Sequence, residues 1–584
     1  MSDAFGMDLT FGAARGEGAT TFRFWAPAHQ EVRLEIRDGE TIAMERSDDG
    51  WFAATLPAPA GARYRFALPD GLTVPDPASR FQDGDIHGWS VVVDSRSYRW
   101  RTAGWTGRPW HEAVVYELHV GAFGGFKGVA EALPRLAELG ITAVQLMPIN
   151  DVPGARNWGY DGVLPYAPDE AFGTPEDLKA LIDRAHELGL MMMLDVVYNH
   201  FGPDGNYIGS YAPTFFREDL HTPWGGAIDF RLPEVRAFFT ENALYWLMEY
   251  RFDGLRFDAV HAISESDWID EMAATVHATV EPGRHVHLVL ENEHNEQSHL
   301  AGDVDAQWND DFHHVIHVLL TGEREGYYED YAEDTAGKLA RTLSEGFVYQ
   351  GEPSPHLDGK RRGTPSGHLA PTSFVSFLQN HDQIGNRAFG DRLSTLAPAK
   401  GVEAATAALL LIPHVPMIFM GEEVASETPF LFFTDHQGEL ADAVREGRRK
   451  EFSKFAAFAG AEVPDPNAAK TFEDSIPQPH PERAEARSAL FKTLLTLRAA
   501  EIAPRIPGAR SEGAEAVGPK AAVARWTLGD GAKLTLALNL DDKATKIAGL
   551  AGPLLFESDV GASDSVRAGE LPAFTTIALL ETPA

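Results

Sequence analysis

The 584-residue sequence contains no cysteine. This absence excludes disulfide bonds, thiolate metal ligands and a cysteine nucleophile. Basic residues are also scarce, with 50 lysines and arginines against 86 aspartates and glutamates, which gives a formal net charge of −36. A surface of this charge repels phosphate groups and anionic lipids, so we expect neither nucleic acid nor a membrane surface as a partner.

Long apolar runs are few. The N-terminal segment has no basic stretch followed by an apolar one, so no secretion signal is visible and we expect a cytoplasmic location. The stretch 404–421 is apolar enough to resemble a short membrane span, but Pro413, His414 and Pro416 interrupt it. We interpret this stretch as a buried helix that runs into a buried strand.

The composition is that of a globular protein, with 44% hydrophobic and 10% aromatic residues. A chain of this length is too long for one ordinary core, so we expect a large domain and one or two smaller ones. Apolar and polar residues alternate between Gly, Pro and Asp turns over residues 1–97, which predicts an N-terminal β-sandwich. Similar alternation at 522–526 and 534–538 predicts a small C-terminal β domain over residues 506–584.

Between these β domains, over residues 98–505, apolar strands alternate with helical segments. Eight strands are predicted, at 113–118, 141–147, 190–197, 253–258, 286–291, 304–308, 374–380 and 415–420. Strands that are apolar on both faces indicate a parallel sheet, and eight strand–helix units predict an α/β fold with a closed (β/α)8 TIM barrel. An open doubly wound sheet is the alternative, but the turn after the first strand lacks its G-x-G-x-x-G pattern.

Local signals mark the helix ends and the long loops. Thr174 followed by Pro175 predicts a helix start, and Gly140 predicts a helix end. After the fourth strand we expect a helix that opens at Ser264. Two long loops, 198–231 and 321–372, interrupt the alternation, and the aromatic residues of the first favour ordered structure that faces a ligand.

Polar side chains occur at the ends of four predicted barrel strands. They are Asp195 and His200 at the third strand, Arg256, Asp258 and His261 at the fourth, Glu291 at the fifth, and Asn380, His381 and Asp382 at the seventh. Reactive side chains of such a barrel sit at the carboxyl ends of its strands, so we expect Asp258, Glu291 and Asp382 to converge at one mouth. We expect Asp195, His261 and Asn380 to bind substrate beside them. Any one of them alone is as well explained by a structural ion pair or a helix cap, but four such ends together favour a shared site.

Glycoside hydrolysis suits this set of side chains. Its transition state needs an ionised carboxylate near the anomeric carbon and a protonated carboxyl at the leaving oxygen. Arg256 shares a strand face with Asp258 and favours its ionised form, which suits a nucleophile. Glu291 follows an apolar run, so we expect a raised pKa for this carboxyl, which suits a general acid/base.

Metal binding is the main chemical alternative, because Glu291, Glu293, His294 and Glu296 lie within one turn. The segment lacks a His-x-x-x-His pair with a flanking Glu, so we expect no catalytic metal and no other cofactor. A serine hydrolase is disfavoured because the G-x-S-x-G turn is missing. Glu293 shares the strand face of Glu291 if the strand continues, which leaves two candidates for the acid/base; the apolar run directly before Glu291 favours Glu291.

Aromatic residues give a second signal. Trp158 and Tyr160 lie in the loop after the second strand, and Trp224 lies in the long loop after the third. Aromatic rings at the mouth of the barrel can stack on the apolar faces of pyranose rings. We therefore predict that these three residues contact sugar.

Four of these segments, 195–200, 254–261, 290–291 and 379–382, resemble the motif regions of the α-amylase superfamily of glycoside hydrolases, in that family's order. The resemblance implies a retaining mechanism with Asp258 as nucleophile, Glu291 as acid/base and Asp382 holding hydroxyl groups of the substrate near the transition state. It also implies which residues line the subsite of the attacked glucose: Tyr160, His200, Arg256 and His381.

Further stretches resemble the trehalohydrolase branch of that superfamily. They are 116–121, 156–162, 221–225, 307–314, 419–423 and 428–436. This branch hydrolyses the α-1,4 bond next to a terminal trehalose unit, so the implied substrate is malto-oligosyltrehalose, or a maltodextrin, and the implied product is trehalose. Glucan branching enzymes are the alternative, because they share the sandwich and much of the barrel. A non-catalytic glucan-binding protein is the third reading, disfavoured because all three carboxylates are present.

Overall fold

The computed structural model of the chain describes residues 4–222, 224–452 and 463–583; residues 1–3 and 584 of the predicted terminal domains lie outside this part. Its centre is a closed barrel of eight parallel strands. In chain order they are Val115–Leu118, Ala143–Leu146, Met191–Val196, Gly254–Phe257, His287–Leu290, Ala306–Asn309, Phe374–Phe377 and Val415–Phe419. The first strand pairs with the eighth, where Val115 lies opposite Met417, so the sheet closes and the predicted TIM barrel is confirmed.

The barrel interior changes character along its axis. Every residue of the eight strands is buried, which explains their apolar runs. Met193 and Val289 belong to an apolar cluster inside the barrel. Because side chains alternate faces along a strand, Asp195 and Glu291 also point inward two residues later. The interior is therefore apolar near the amino ends of the strands and charged near their carboxyl ends.

Helices surround the barrel. They are Gly125–Leu139, Pro175–Glu187, Pro233–Met248, Asp267–Thr279, Asp310–Thr321, Thr335–Glu345, Ala399–Leu411, Gly438–Phe452 and Ala484–Leu497. The second begins as predicted, because the Thr174 hydroxyl accepts the Asp177 N–H at 3.1 Å and the Asp177 carboxylate accepts the Thr174 N–H. Gly140 ends the first with a φ of 110°, also as predicted. Within the described ranges, no helix is long and apolar enough to cross a membrane.

The helix after the fourth strand begins later than predicted. A 3-10 turn, Val260–Ala262, comes first and follows Ala259, whose φ is 41°. The helix then runs from Asp267, with Ser266 at its N-cap position. The prediction that Ser264 opens this helix was wrong, because the intervening turn holds His261 at the barrel mouth before the chain leaves it.

The N-terminal domain consists of two antiparallel sheets. One contains Gly12–Arg15, Thr20–Trp25, Trp51–Leu56 and Glu45–Arg46; the other contains Thr41–Ala43, Arg33–Ile36, Arg63–Ala67, Trp89–Val91, Gln82–Asp83 and Thr73–Val74. Phe24 of the first sheet stacks on Phe66 of the second, with ring centroids 4.1 Å apart. Aromatic contacts between the two inner faces confirm the predicted sandwich.

The C-terminal domain contains a five-stranded antiparallel sheet, as predicted. Its strands are Arg510–Gly518, Ala521–Thr527, Lys533–Asn539, Thr575–Glu581 and Leu554–Glu557; Thr545–Lys546 pairs with Glu570–Leu571, and Ala562–Arg567 is a short helix. The Thr576 hydroxyl donates to the Ala404 carbonyl at 2.7 Å, which ties the sheet to a barrel helix. The domain limits 1–97, 98–505 and 506–584 stay predictions.

The two long segments have secondary structure of their own. Segment 198–231 contains Ile208–Tyr211, Pro213–Phe215 and the hairpin Phe216–Thr222 with Gly225–Ile228; segment 321–372 contains Gly326–Tyr331, Thr335–Glu345 and the hairpin Glu352–Pro353 with Arg361–Arg362. Tyr211 and Phe215 are buried, and Tyr211 contacts Phe24 of the sandwich. These two aromatic residues therefore pack the domain junction, and the expectation that they face a ligand was wrong.

Candidate active site

Arg256 joins three carboxylates at the centre of the barrel mouth. Its guanidinium is fully buried and lies 4.0 Å from the centroid of the Trp308 ring. Nη1 donates to Asp195 at 2.7 Å and to Asp258 at 2.8 Å, and Nη2 lies 2.8 Å from Glu291 Oε2. Because Asp258 and Glu291 contact the same guanidinium, they flank one small space, as the strand ends predict.

The pKa shifts of Asp258 and Glu291 are the reverse of the expected ones, because we expected an ionised Asp258 and a raised pKa for Glu291. Burial raises the pKa of Glu291, but the Arg256 charge and the hydrogen bond from the Ala259 N–H outweigh burial, so the pKa is lowered. Burial, and next the Glu291 carboxylate, raise the pKa of Asp258 well above its usual value although Arg256 opposes them. The two carboxyls interact strongly, so they titrate as a pair that retains one proton.

Glu291 and Glu293 differ in their surroundings. Both line a cavity of about 220 Å³ at the barrel mouth. Glu291 contacts Arg256 and accepts the Ala259 N–H at 2.8 Å. The Glu293 side chain is 58% exposed, and its ionic contacts are His261 at 3.9 Å and the neighbouring His294 at 3.8 Å. This geometry favours Glu291 as the acid/base candidate.

His381 begins a hydrogen-bonded chain that ends at Arg256. Burial opposes a charge on His381, but Glu117 and Asp382 raise its pKa to about 9, so the ring is an imidazolium at neutral pH. Nδ1 donates to Glu117 at 2.7 Å, and Nε2 donates to the Tyr160 hydroxyl oxygen at 2.8 Å. The Tyr160 hydroxyl in turn donates to Asp195 at 2.7 Å. The orientation of Tyr160 is therefore fixed from both sides.

Sequence reasoning missed Glu117. Its side chain is completely buried in the first barrel strand, and it also accepts the His381 backbone N–H at 3.2 Å. A charged residue inside an otherwise apolar barrel strand was the available signal. Such a residue must find a partner inside the barrel, because an unpaired buried charge is costly.

Three predicted sugar contacts lie behind the cavity surface. Trp158 is 3% exposed and its ring stacks on Phe430 at 5.2 Å. Asn380 is 1% exposed and accepts the Gln383 N–H at 2.9 Å as a helix cap. Asp195 is 1% exposed, and its carboxylate accepts hydrogen bonds from Arg256 and from the Tyr160 hydroxyl. All three are buried and contact neighbouring site residues, and their contact with sugar stays a prediction.

Two other predicted residues form the rim on the side of the third strand. His200 Nε2 donates to the Tyr160 carbonyl at 3.0 Å, and His200 Nδ1 has no hydrogen-bond partner within the described residues. Burial lowers the pKa of His200, so the ring is neutral. Trp224 stacks on His200 with centroids 5.4 Å apart and is 45% exposed. The exposed indole is the ring best placed to meet a sugar.

Asp382 and His261 line the cavity beside Glu291. Asp382 lies in the first turn of helix His381–Gly385, and 38% of its side chain is exposed. Desolvation by the cavity walls raises the pKa of Asp382, with a further rise from Glu291 and an opposing effect of His381. Burial lowers the pKa of His261, although the Glu293 carboxylate opposes this. The structure thus places Asp382 and His261 at the same cavity as Glu291, and their contact with substrate stays a prediction.

Residues that the sequence did not single out form the far wall of the cavity. They are Asp310, His314, Tyr327, Asp330, His356, Leu357, Arg362, Gln383 and Asn386. Arg362 is 8% exposed and donates to the Glu293 carbonyl and to the Tyr331 hydroxyl, each at 2.7 Å. Burial raises the pKa of Asp310 to about 8, so this carboxyl is largely protonated at neutral pH and can donate a hydrogen bond.

A metal centre built from three or more acidic or histidine side chains is not found in ranges 4–222, 224–452 and 463–583. Glu296 is exposed, and Glu293 points to two histidines.

The sequence matches known families in two regions. Residues 77–214 match the family described as "Alpha amylase, catalytic domain", and residues 509–576 match a "Domain of unknown function (DUF3459)". A malto-oligosyltrehalose trehalohydrolase of Deinococcus radiodurans is 44% identical over 469 residues, which cover 79% of this chain and 77% of the relative. This chain belongs to the malto-oligosyltrehalose trehalohydrolase family. The predicted resemblance to the α-amylase superfamily is confirmed with it.

Other comparisons agree with this membership. The malto-oligosyltrehalose trehalohydrolase of Saccharolobus solfataricus is 40% identical over 484 residues, covering 80% of this chain and 83% of the relative. A crystal structure described as a putative alpha amylase from Salmonella typhimurium superposes with a TM-score of 0.93 at 43% identity, covering 99% of this chain and 100% of that one. A 1,4-alpha-glucan branching enzyme of Aliivibrio fischeri is 34% identical over 258 residues, only 40% of this chain and 36% of the relative, so the branching-enzyme alternative is weaker.

Proposed function

We propose that this protein hydrolyses the α-1,4-glucosidic bond next to the terminal trehalose of malto-oligosyltrehalose, with retention of anomeric configuration. The products are trehalose and a malto-oligosaccharide. The observation that carries the proposal is the contact of both Asp258 and Glu291 with the single Arg256 guanidinium, in a chain of the trehalohydrolase family.

In the first step, Asp258 attacks the anomeric carbon of the glucose next to trehalose. The hydrogen bond from Arg256 at 2.8 Å orients the attacking carboxylate. As the glycosidic bond breaks, Glu291 gives its proton to the departing oxygen, which leaves as a hydroxyl group of trehalose. A covalent glycosyl–Asp258 ester remains.

In the second step, Glu291 acts as a base. It takes a proton from a water molecule, whose oxygen attacks the same carbon and displaces Asp258. Both residues regain their starting forms, and two inversions give net retention. Asp382, with an exposed oxygen at the cavity, holds sugar hydroxyls as positive charge develops on the ring.

The reactive form carries one proton, on Glu291. Without sugar, burial and the Glu291 carboxylate favour this proton on Asp258, whereas Arg256 and the Ala259 N–H favour the ionised form of Glu291. A glycosidic oxygen beside Glu291 offers a hydrogen-bond acceptor that is otherwise missing, which favours the proton on Glu291 once substrate binds. The transfer within the pair leaves the total charge of the site unchanged.

The cavity beside Glu291 suits the trehalose part of the substrate. The acid must touch the leaving group, so the space on its side is the leaving-group side. Polar groups of Asp310, Arg362 and Gln383 line this space, and they match a disaccharide rich in hydroxyl groups.

Product analysis with two pentasaccharides tests the proposal. Maltotriosyltrehalose and maltopentaose have the same number of glucose units, and only the first ends in trehalose. We expect trehalose and maltotriose from the first, and a kcat/KM at least about tenfold lower for the second, measured by anion-exchange chromatography. Equal rates would indicate a general α-glucanase. New α-1,6 bonds in amylose, seen by proton NMR, would indicate a branching enzyme, and binding without products a glucan-binding protein.

Isosteric substitutions test the roles. We expect Asp258→Asn and Glu291→Gln each to lower kcat by at least about a thousandfold, because an amide at the first position cannot attack as a carboxylate does and an amide at the second can neither give nor take the proton. Glu293→Gln is the matched control in the same cavity and should retain most activity. Circular dichroism checks that all three fold. Activity lost in the Glu293 variant and retained in the Glu291 variant would transfer the acid/base role to Glu293.

A further inference from the structure

Two buried aspartates lie outside the active site at the base of the loop that carries Tyr160. A two-stranded hairpin, Asn150–Asp151 with Leu164–Pro168, follows the second barrel strand; Asp151 ends its first strand and Asp169 directly follows its second. Each aspartate is 1% exposed. The Asp169 N–H donates to the Ile149 carbonyl at 2.7 Å, which draws the two ends of the hairpin together.

Neither carboxylate is fully satisfied. Oδ2 of Asp151 and Oδ2 of Asp169 are buried and have no hydrogen-bond partner within 3.5 Å in the described part of the chain. Burial raises the pKa of Asp169 to about 8, although the nearby backbone N–H groups of Ala171 and Val152 oppose this rise. Asp169 Oδ1 accepts the Ala171 N–H at 2.7 Å. Asp85 and Glu170 are close enough to repel both aspartates. Among the ion pairs of the described residues, none involves any of these four acids.

The pair Asp151 and Asp169 has no positively charged partner among the described residues. Burying a carboxylate without a counter-ion is costly, and a second carboxylate near enough to repel it adds to that cost. A divalent cation that prefers oxygen ligands would neutralise both carboxylates and coordinate Oδ2 of Asp151 and Oδ2 of Asp169. The Asp85 carboxylate accepts the Gly154 N–H, and the Glu170 carboxylate accepts the Asp85 N–H, each at 3.0 Å. These two acids add negative charge around Asp151 and Asp169.

We propose that Asp151 and Asp169 bind a structural divalent cation of the Ca²⁺ type. Two side chains are fewer than a three-ligand cluster, but Ca²⁺ completes its shell with backbone carbonyls and water. Ca²⁺ is favoured over Mg²⁺ because it tolerates irregular coordination, whereas Mg²⁺ demands a near-ideal octahedron of ligands. This site is separate from the carboxylates of the proposed function and does not depend on them.

The position of the site indicates what the cation does. Asp85 follows a strand of the sandwich, and its carboxylate holds the Gly154 N–H of the barrel loop. The same loop continues to Tyr160, whose hydroxyl bonds Asp195 in the barrel mouth. A cation at the hairpin would therefore fix the junction of sandwich and barrel and, through it, the loop that carries Tyr160.

A metal titration of the full chain tests this site. The purified protein is stripped with EDTA, desalted, and melted in CaCl2 or MgCl2 from 0 to about 5 mM at constant ionic strength. We expect a saturable rise of Tm by about 3 °C or more with CaCl2, and a smaller one with MgCl2. Calorimetry should give one Ca²⁺ per chain. The Asp151→Asn/Asp169→Asn double variant should lose this response, because amide groups remove both charges at almost unchanged size.

Asp48→Asn is the matched control, because Asp48 is an exposed acid in a turn of the sandwich. It should retain the full CaCl2 response. An equal shift in the double variant, or many weak sites in calorimetry, would show that Ca²⁺ binds only to the acidic surface and would overturn the proposal. If Tm changes with neither metal but increases when the pH is lowered from 8 to 6, Asp151 and Asp169 share a proton and bind no cation, which overturns the proposal. If the double variant does not fold, one Ca²⁺ per chain in the unmodified protein supports the site and no bound Ca²⁺ rejects it.

Discussion

Arg256 determines the charge of the barrel mouth. It contacts three carboxylates while its own guanidinium is fully buried. One positive charge cannot neutralise three negative ones, so the group retains a proton that isolated carboxylates would have lost at neutral pH. This proton is the one that glycosidic cleavage needs.

The first prediction concerns the pH dependence of kcat/KM. Glu291 has a lowered pKa and Asp258 a strongly raised one, so the singly protonated pair exists over a wide pH range. Below the lower pKa both carboxyls are protonated and the nucleophile is lost; above the upper pKa both are ionised and the acid is lost. We expect a bell-shaped profile with a broad plateau, measured with maltotriosyltrehalose. A profile that falls on one side only would contradict a shared proton.

The second prediction concerns Glu117, a positioning residue that acts through His381. Glu117→Gln should lower the pKa of His381 from about 9 and destabilise the fold by about 3 kcal/mol at neutral pH. The raised pKa of His381 contributes stability that is complete below pH 6.5 and lost as the pH rises through 9. Urea unfolding of both proteins at pH 6.5 and pH 10 should therefore show the difference shrinking at the higher pH. An equal difference at both pH values would rule out this ion pair.

Individual residues were predictable only where their type and their place on a strand agreed. Asp258 was predicted because it shares a strand face with Arg256, and Glu291 because it directly follows an apolar run at a strand end. Glu117 was missed because it lies within an apolar strand. Trp158 and Asn380 were predicted to contact sugar because both lie at the barrel mouth. The sequence does not show that Phe430 covers the Trp158 ring or that the Asn380 side chain caps a helix.

At the scale of elements, strands were predicted best. All eight barrel strands lie within or next to their predicted limits, because burial on both faces makes them apolar throughout. Segment 321–372 was predicted as a loop, whereas it contains helix Thr335–Glu345 and a hairpin that carries Arg362 to the cavity. Which residue of such a segment turns inward depends on packing against the barrel, and local pattern does not contain that information.

The third prediction tests a helix start. Thr174→Ala removes the reciprocal capping of helix Pro175–Glu187 and should lower the free energy of unfolding by about 1 kcal/mol, with kcat unchanged. Thr275→Ala is the matched control, because the Thr275 hydroxyl only bonds the Glu271 carbonyl within an exposed helix turn. Urea unfolding measures both. Equal losses in the two variants would contradict the capping role of Thr174.

At the scale of the whole molecule, the net charge of −36 has two separable effects. Like charges repel across the folded surface, so the fourth prediction is that Tm rises when NaCl increases from 50 to 500 mM. The proposed substrate is uncharged, so KM should change by less than about twofold over the same range. Differential scanning fluorimetry and initial rates measure the two. A large change of KM with salt would indicate a charged ligand.

The pairing of the first barrel strand with the eighth has a consequence for synthesis on the ribosome. Val115–Leu118 emerges about three hundred residues before Val415–Phe419, its neighbour on one side. The sandwich can fold as soon as its own strands have left the exit tunnel. Glu117, in contrast, has no partner until His381 and the eighth barrel strand have been synthesised. A truncated nascent chain would therefore expose an open sheet edge for most of its translation, and this interval is when the protein depends most on chaperones.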